Sequence, residues 1–499
     1  MTDNRSMATV PRTQSARLVE THTSTVIFLG DRAYKVKKAV DLGFLDFRSR
    51  VARVGACQDE VTLNRRLAPD VYLGVATVFD PDGDPCEPMV VMSRMPDDRR
   101  LTKLVLDGAS LDEELRGIAG VLTDFHRRCE TSAAITAAGS RDSLAGLWRE
   151  GIEQLHRFRG VVLEADDVDE MAERSARYLL GRGALFAERQ DAGLVRDGHG
   201  DLLADDIFCL DDGPRILDCI EFDQRLRVGD VLLDVAFLAM DLERLGAPEL
   251  ARTFLSAYCQ AGGEQHPQSL EHFFIAYRAF VRTKVACLRW EQGVAESAPA
   301  ARKLATLTLK HLRSTALPVV LVGGLPGVGK TTLSNAIAGA TDHGWITLRS
   351  DVVRKEHAGL DPSVPTASPF RTGLYRPEQT NATYRELLSR ARDSLDHGRP
   401  VIMDASWSDS TWRAAAAEVA ADTSADLVQL CCVAPATVAE RRLHLRRDDA
   451  SDADASIAHA MAAHFDPWPD GHAIDTTLAL DDSLDRALRR IELPARPRG

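Results

Sequence analysis

Two stretches of this 499-residue sequence combine residue types that can hold and move a phosphoryl group. The first, Gly324-Leu325-Pro326-Gly327-Val328-Gly329-Lys330-Thr331, fits G-x-x-x-x-G-K-[ST] and lies between an apolar run and a helical pattern, Thr332–Ala338. Its glycines let successive main-chain N–H groups turn inward around β- and γ-phosphate oxygens. The start of the following helix adds partial positive charge. Lys330 would neutralise phosphate oxygens, and the Thr331 hydroxyl would ligate Mg²⁺. The stretch from Gly324 to Thr332 is therefore expected to bind ATP as its Mg²⁺ complex.

Downstream, Trp345-Ile-Thr-Leu-Arg349 reads as a strand ending at Ser350-Asp351, with Arg354 just beyond. A carboxylate at that tip can orient an acceptor hydroxyl or take its proton. It can also cap the next helix, and one carboxylate can do both. Val401-Ile-Met-Asp404 places a second carboxylate where a Mg²⁺ ligand belongs, or where a strand simply turns. In Glu440-Arg441-Arg442-Leu-His-Leu-Arg446-Arg447, Arg442 and Arg446 share one helix face, and the polar stretch Asp448–Ser456 follows. This suits a basic lid closing over phosphate, or equally a solvated face laced with salt bridges.

The second stretch is acidic. Asp197-Gly-His199-Gly200-Asp201-Leu-Leu-Ala-Asp205-Asp206 leads into a strand, and Arg215-Ile-Leu-Asp-Cys-Ile-Glu221-Phe222-Asp223 follows the hairpin turn Asp211-Asp212-Gly213. Two acidic clusters thus meet at the ends of adjacent strands. Crowded carboxylates repel one another unless cations sit between them, a role for paired Mg²⁺ ions bridging ATP phosphates.

The elements that must position these groups follow from the hydrophobic pattern. Residues 20–40 read as two strands around Gly30-Asp31, and a helix runs through Arg53–Leu67. Strands follow at Tyr72–Phe79 and Met89–Met95. From Leu111 the period lengthens to that of a helix, with Leu115, Ile118, Leu122 and Phe125 on one face. The island Asp197–Asp230 interrupts a helical stretch that resumes and continues to about Leu312, past a loop at Glu291–Pro299. From Leu317, strands alternate with helices, which predicts a parallel α/β sheet. The expected folding units are residues 1–100, β-rich; 101–313, helical and carrying the acidic loop; and 317–499, the P-loop part.

The last unit resembles the small-molecule P-loop kinases of the gluconate-kinase, shikimate-kinase and polynucleotide-kinase group. The likeness rests on G-L-P-G-V-G-K-T, S-D-V-V-R, V-I-M-D-A and the arginine helix. It implies ATP·Mg²⁺ at Gly324–Thr331, an acceptor near Asp351 and Arg354, and lid arginines near Arg442 and Arg446. The middle of the chain resembles the aminoglycoside-phosphotransferase and protein-kinase-like superfamily, whose catalytic loop is H-G-D-x-x-x-x-N. By that resemblance Asp201 orients or deprotonates the acceptor hydroxyl, His199 braces the loop, and Asp206 ligates a metal. Glu221, in I-E-F, takes the place of the second metal ligand, and Gly229-Asp230 with Asp234 resemble the following G-D-x-x-x-D. Asp206 stands where the family usually has Asn, and Glu221 where it usually has Asp.

The resemblance also requires a phosphate-pairing lysine from the first lobe. In the strand Ala33-Tyr34-Lys35-Val36-Lys37-Lys38, alternation puts Lys35 and Lys37 on one face, and Glu60 is the expected partner of one of them. His126 reads as a packed helix residue. The whole chain, including Leu63-Asn-Arg-Arg-Leu-Ala-Pro-Asp-Val-Tyr-Leu-Gly, is similar to two-domain aminoglycoside phosphotransferase/ATP-binding fusions of actinobacteria. The implied fold class is a bilobal kinase-like α+β fold followed by a P-loop α/β domain, with two ATP sites.

Composition narrows the function. Hydrophobic residues are 44% and charged residues 27%, ordinary for a soluble globular chain. No apolar run approaches the about 18 residues a membrane span needs. Lys and Arg number 61 against 74 Asp and Glu, a net charge of −13 that disfavours duplex nucleic acid. Nine scattered cysteines without a C-x-x-C fit reduced cytoplasmic thiols. The leading expectation is an ATP-dependent phosphotransferase acting on a small hydroxylated molecule. A polynucleotide 5′-hydroxyl kinase and a non-catalytic nucleotide-sensing regulatory protein are the alternatives.

Overall fold

A computed structural model describes residues 16–21, 23–41, 46–262, 264–340, 344–361, 376–445 and 455–491. These fall into two compact units, one drawn from Met1–Gly139 and Ala192–Gln265, the other from Ser140–Asp191 and His266–Gly499.

The first unit opens with strands β1 (Arg17–Glu20), β2 (Ser24–Leu29), β3 (Arg32–Lys37), β4 (Tyr72–Phe79) and β5 (Pro85–Ser93). They form an antiparallel sheet of order β1-β2-β3-β5-β4. The expected hairpin at Gly30-Asp31 joins β2 to β3, pairing Leu29 with Arg32. The helix Arg50–Asn64 starts at Ser49, whose side chain accepts the Ala52 N–H, and turns Cys57 and Val61 into the sheet's core. On the helix Asp112–Arg128, Leu115, Ile118, Leu122 and Phe125 are buried, as their spacing predicts. Two short ladders complete the unit: β6 (Val195–Asp197) with β9 (Val228–Asp230), and β7 (Ile207–Leu210) with β8 (Gly213–Ile216). The helix Val231–Arg244 behind them is buried from Val231 to Leu242, so it has no solvent stripe; its run is apolar except for the buried Asp234 and Asp241.

The second unit contains a parallel sheet of β10 (Pro318–Gly323), β11 (Ile346–Arg349), β12 (Val401–Asp404), β13 (Asp426–Val433) and β14 (His472–Asp475), in the order β11-β12-β10-β13-β14. β10 is buried at every position, as a central parallel strand must be. β14 is an edge strand whose sequence, His-Ala-Ile-Asp, has no apolar run to announce it. The helices Arg141–Leu155, Ala165–Leu180, Gln268–Glu291 and Ser297–Ser314 pack within this unit. Trp148 stacks on Phe280 at 4.4 Å and Tyr178 on Phe273 at 4.5 Å. Arg177 reaches Asp426 at 2.5 Å, and Ser269 Oγ donates to the Gly398 carbonyl at 2.7 Å. Among the described residues no helix is long and apolar enough to cross a membrane.

Candidate active sites

In the second unit, parallel register sets Val322 and Arg349 beside Asp404, so the glycine-rich loop, Ser350 and Asp404 all emerge at the carboxyl edge of the sheet. That edge is where open α/β sheets bind ligands. Gly327 has φ +80°, and a Cβ there would lie 2.6 Å from the Ala439 carbonyl oxygen, so both conformation and space demand glycine. The helix Lys330–Ala340 begins on Lys330 itself, leaving its first amides directed at the loop. Lys330 Nζ donates to the Leu325 carbonyl at 3.1 Å.

The Thr331 hydroxyl donates to Asp404 Oδ2 at 2.6 Å, and Arg349 Nε lies 3.7 Å from that oxygen. Asp404 is 4% exposed, and its burial pushes its pKa up against the pull of Lys330 and the Thr331 hydroxyl. Ser350, Asp351 and Arg354 line the adjoining cavity of about 650 Å³. Asp351 does not cap the following helix: Arg349 holds the cap position of Ser350–His357, with no side-chain cap bond. The Asp351 carboxylate instead accepts from Arg354 at 2.6 Å.

In the first unit, Lys35 and Lys37 share Glu60, at 2.9 and 2.5 Å. The alternatives left by the sequence therefore both hold for the ion pair. Lys35 also lies 2.6 Å from Asp218, and Lys37 pairs with Glu221. The Lys37 and Glu60 side chains are 1% and 0% exposed, whereas that of Asp218 is 49% exposed. Burial alone would lower both lysines; the surrounding carboxylates outweigh it and raise them, Lys35 well above its usual value. The Lys35 charge holds Asp218 low. Glu221 is raised, because its burial outweighs the attraction of a lysine it shares with Glu60. Asp206 is pushed well above the usual carboxylate range by burial and by the charges of Asp218, Asp201 and Asp205.

The catalytic-type loop is held from behind. The N–H groups of His199 and Gly200 each donate to Asp234, both at 2.8 Å. Asp234 also meets His126 Nε2 at 3.1 Å, and His126 Nδ1 meets the Tyr258 hydroxyl at 2.8 Å. His126 is thus packed, as expected, but also hydrogen-bonded at both ring nitrogens. Arg66 donates to the carbonyls of Asp197 and Gly198. Gly200 has φ +90°, and a Cβ would come 2.9 Å from the Leu226 carbonyl. Burial lowers the His199 pKa; its Nε2 donates to the Leu217 carbonyl at 3.0 Å, since a carbonyl oxygen can only accept. His199 thereby ties the loop to the residue just before Asp218.

The structure brings together Lys35, Lys37, Glu60 and Glu221, and places Asp206 within the electrostatic reach of Asp201. It also adds Asp218, which the sequence reading passed over. Asp218 follows the end of β8 almost directly, whereas Glu221, in the I-E-F that matches the family pattern, lies further on. Arg442 donates to the Thr476 carbonyl at 2.6 Å and to the Val328 carbonyl at 3.4 Å, bracing the back of the glycine-rich loop. Arg446 lies outside the described residues, as does 448–454 of the polar stretch. Among the described residues no three His, Cys, Asp or Glu form a ready-made metal cage. Mg²⁺ needs none, since one or two carboxylates with phosphates and water suffice. Thr331 with Asp404, and Asp206 with Asp218, are donor sets of that kind.

A model of the phosphotransferase enzyme family matches residues 30–273, and one of an AAA domain matches residues 319–468. Uncharacterized proteins of Mycobacterium tuberculosis (H37Rv) and Mycobacterium bovis are each 41% identical over 470 residues, covering 94% of this chain and 94% of theirs. Among solved structures, a choline/ethanolamine kinase family protein from Mesorhizobium loti shares 13% identity, covering 61% of this chain and 94% of its own, with a TM-score of 0.38. A gluconokinase from Sinorhizobium meliloti 1021 shares 21% identity, covering 35% and 91%, with a TM-score of 0.25. The kinase-like fold followed by a P-loop α/β domain, expected from the motifs, is the one present. With those mycobacterial proteins, the chain belongs to a family in which a phosphotransferase-type part precedes an AAA-type P-loop part.

Proposed function

We propose that the protein transfers the γ-phosphate of ATP to a hydroxyl of a small hydroxylated molecule, and that the P-loop unit performs the transfer. The observation that carries this is the Thr331–Asp404 hydrogen bond at the foot of a glycine-rich loop, opening onto a cavity that holds Asp351. Loop amides and Lys330 hold the phosphate oxygens. Asp351, its rotamer fixed by Arg354, accepts the proton of the attacking hydroxyl. Arg442 keeps the loop backbone in place from behind. Mg²⁺, held by Thr331 and Asp404, supplies charge neutralisation at the phosphates. The barrier falls through positioning and electrostatics rather than covalent chemistry.

The first unit supplies a second ATP site, with Lys35 as the phosphate-facing lysine, because it is the more exposed of the two. Asp206 and Asp218 are its metal ligands and Asp201 its acceptor-orienting carboxylate. Support comes from charge: two ammonium groups face Glu60, Asp218 and Glu221, and Asp201 and Asp206 add more, an excess that a divalent cation relieves. Nine scattered cysteines without a C-x-x-C fit a reducing cytoplasm. ADP release measured against a panel of sugars, aminoglycosides and oligonucleotides tests the reading. Turnover with a small hydroxylated acceptor that disappears in Asp351→Asn supports it; turnover with oligonucleotides alone overturns it.

A further inference from the structure

The P-loop cavity has a wall that the phosphate chemistry leaves unused. It is built from the segment 405–409 after β12, with the helices Ser410–Asp422 and Pro377–Asp396. Trp407 in that segment has φ +52°, a left-handed conformation that bulky residues rarely adopt. Its own contacts hold it there. The indole N–H donates to the Met403 carbonyl at 3.1 Å, the main-chain N–H to the Tyr384 hydroxyl at 3.1 Å, and Arg413 donates to the Trp407 carbonyl at 2.6 Å. The buried kink leaves Ser406 and Ser408 both lining the cavity, their hydroxyl oxygens 3.4 Å apart. The next helix lays Trp412 against Tyr384, with ring centroids 5.1 Å apart and planes 12° from parallel. Tyr384 is 4% exposed, whereas Trp412 is only partly buried and lines the cavity.

An aromatic surface edged by hydroxyls and carboxylates matches a ring with C–H faces and a hydroxylated rim. Among the described lining residues the fixed cations are Lys330 and Arg354, the first placed for phosphate and the second bonded to Asp351. Asp409 and Asp466 add negative charge, which opposes an anionic acceptor. We propose that this wall is the acceptor subsite and that the acceptor is a cyclic polyol, neutral or amine-bearing, stacked on Trp412. The inference rests on the P-loop reading above and names its substrate class. Trp412 contacts the substrate, while Trp407 acts through the serines it positions.

The test uses the full-length protein, Trp412→Phe and Trp412→Ala. Tryptophan emission and ADP release are followed with methyl glucoside, glucosamine, sorbitol, gluconate and adenosine. The expected result is an emission change with methyl glucoside or glucosamine that is lost in Trp412→Ala. That variant should raise the acceptor KM about tenfold with the ATP KM unchanged, and Trp412→Phe, which keeps an aromatic ring, should retain most of the affinity and guard against misfolding. Sorbitol or gluconate binding as well as the ring sugars, adenosine binding alone, no probe altering emission at millimolar concentration, or an unchanged acceptor KM in Trp412→Ala overturns the inference. Failure of the underlying reading shows separately, as ADP release undiminished in Lys330→Ala.

Discussion

The two candidate sites solve the same electrostatic problem from opposite sides. In the P-loop unit the chain offers main-chain amides, one lysine and a single deeply buried carboxylate, Asp404, and its ligand is to bring the negative charge. In the first unit the chain itself brings the negative charge: Glu60, Asp201, Asp206, Asp218 and Glu221 set against Lys35 and Lys37. The first design is mostly local: consecutive residues make the cradle, and Asp404 joins it from 73 residues away. The second is assembled across the chain, with Lys35 and Asp218 meeting over a separation of 183 residues. A local site survives small shifts elsewhere; an assembled one depends on every element that carries a charge to it.

The strongest way to break the comparison is to disable the local site alone. Lys330→Ala should lower ADP release on the order of a thousandfold, by removing a charge made for the transferring phosphate. Nucleotide binding measured by calorimetry should persist at the first unit and vanish only when Lys35→Met is added. Activity lost in Asp201→Asn but kept in Lys330→Ala would reverse the assignment of the working site.

A somewhat smaller effect probes the assembled site. Lys37→Met strands Glu221 and half of Glu60 in a buried setting, which should cost about 3 kcal/mol of stability in urea unfolding. The double variant Lys37→Met/Glu221→Leu should recover much of that, because no unpaired charge then remains beside Lys35 and Glu60. Equal losses in the single and double variants would show that the pair matters through packing and not through charge.

The proposed metal ligation separates Asp218 from Glu221, both of which follow β8. Asp218→Asn should weaken Mg²⁺-dependent nucleotide binding at the first unit about tenfold or more, whereas Glu221→Gln should alter it only a few-fold. The reverse order would restore Glu221 to the role that the I-E-F resemblance implies.

This contrast also explains what could be read in advance. G-x-x-x-x-G-K-[ST], the strand before it and Asp404 were legible because their chemistry and their elements are contiguous. The lysine pair was legible only as a shared face: alternation along β3 put Lys35 and Lys37 together, but which carboxylates meet them is a long-range fact. Asp218 was hidden by a nearby better match to a known pattern. The edge strand β14 was hidden because an edge needs no apolar run. The grouping of the helices 141–155, 165–180, 268–291 and 297–314 with the parallel sheet rests on contacts such as Arg177–Asp426, which no local periodicity encodes.

The smallest expected effect bears on Asp404, the one buried carboxylate among the described residues of the P-loop unit. A carboxylate whose folded-state pKa lies above its unfolded value loses its proton first in the unfolded chain. The unfolded chain then binds fewer protons than the folded one, so stability falls as pH rises from about 4 through the raised value. Asp404 has that raised value through burial, and Asp218, held low by Lys35, has the opposite sign. In urea unfolding without nucleotide, Asp404→Asn should match the wild type at acid pH and be modestly more stable near neutrality. With Mg²⁺ and ATP the order should invert, because the wild-type carboxylate gains its cation and the amide does not. An Asp404→Asn variant that is less stable than wild type at neutral pH without nucleotide would mean that Lys330 and Arg349 already compensate the charge. The P-loop unit would then resemble the first unit in setting the chain's own cations against its buried carboxylate, and the contrast between the two sites would shrink toward one of sequence distance.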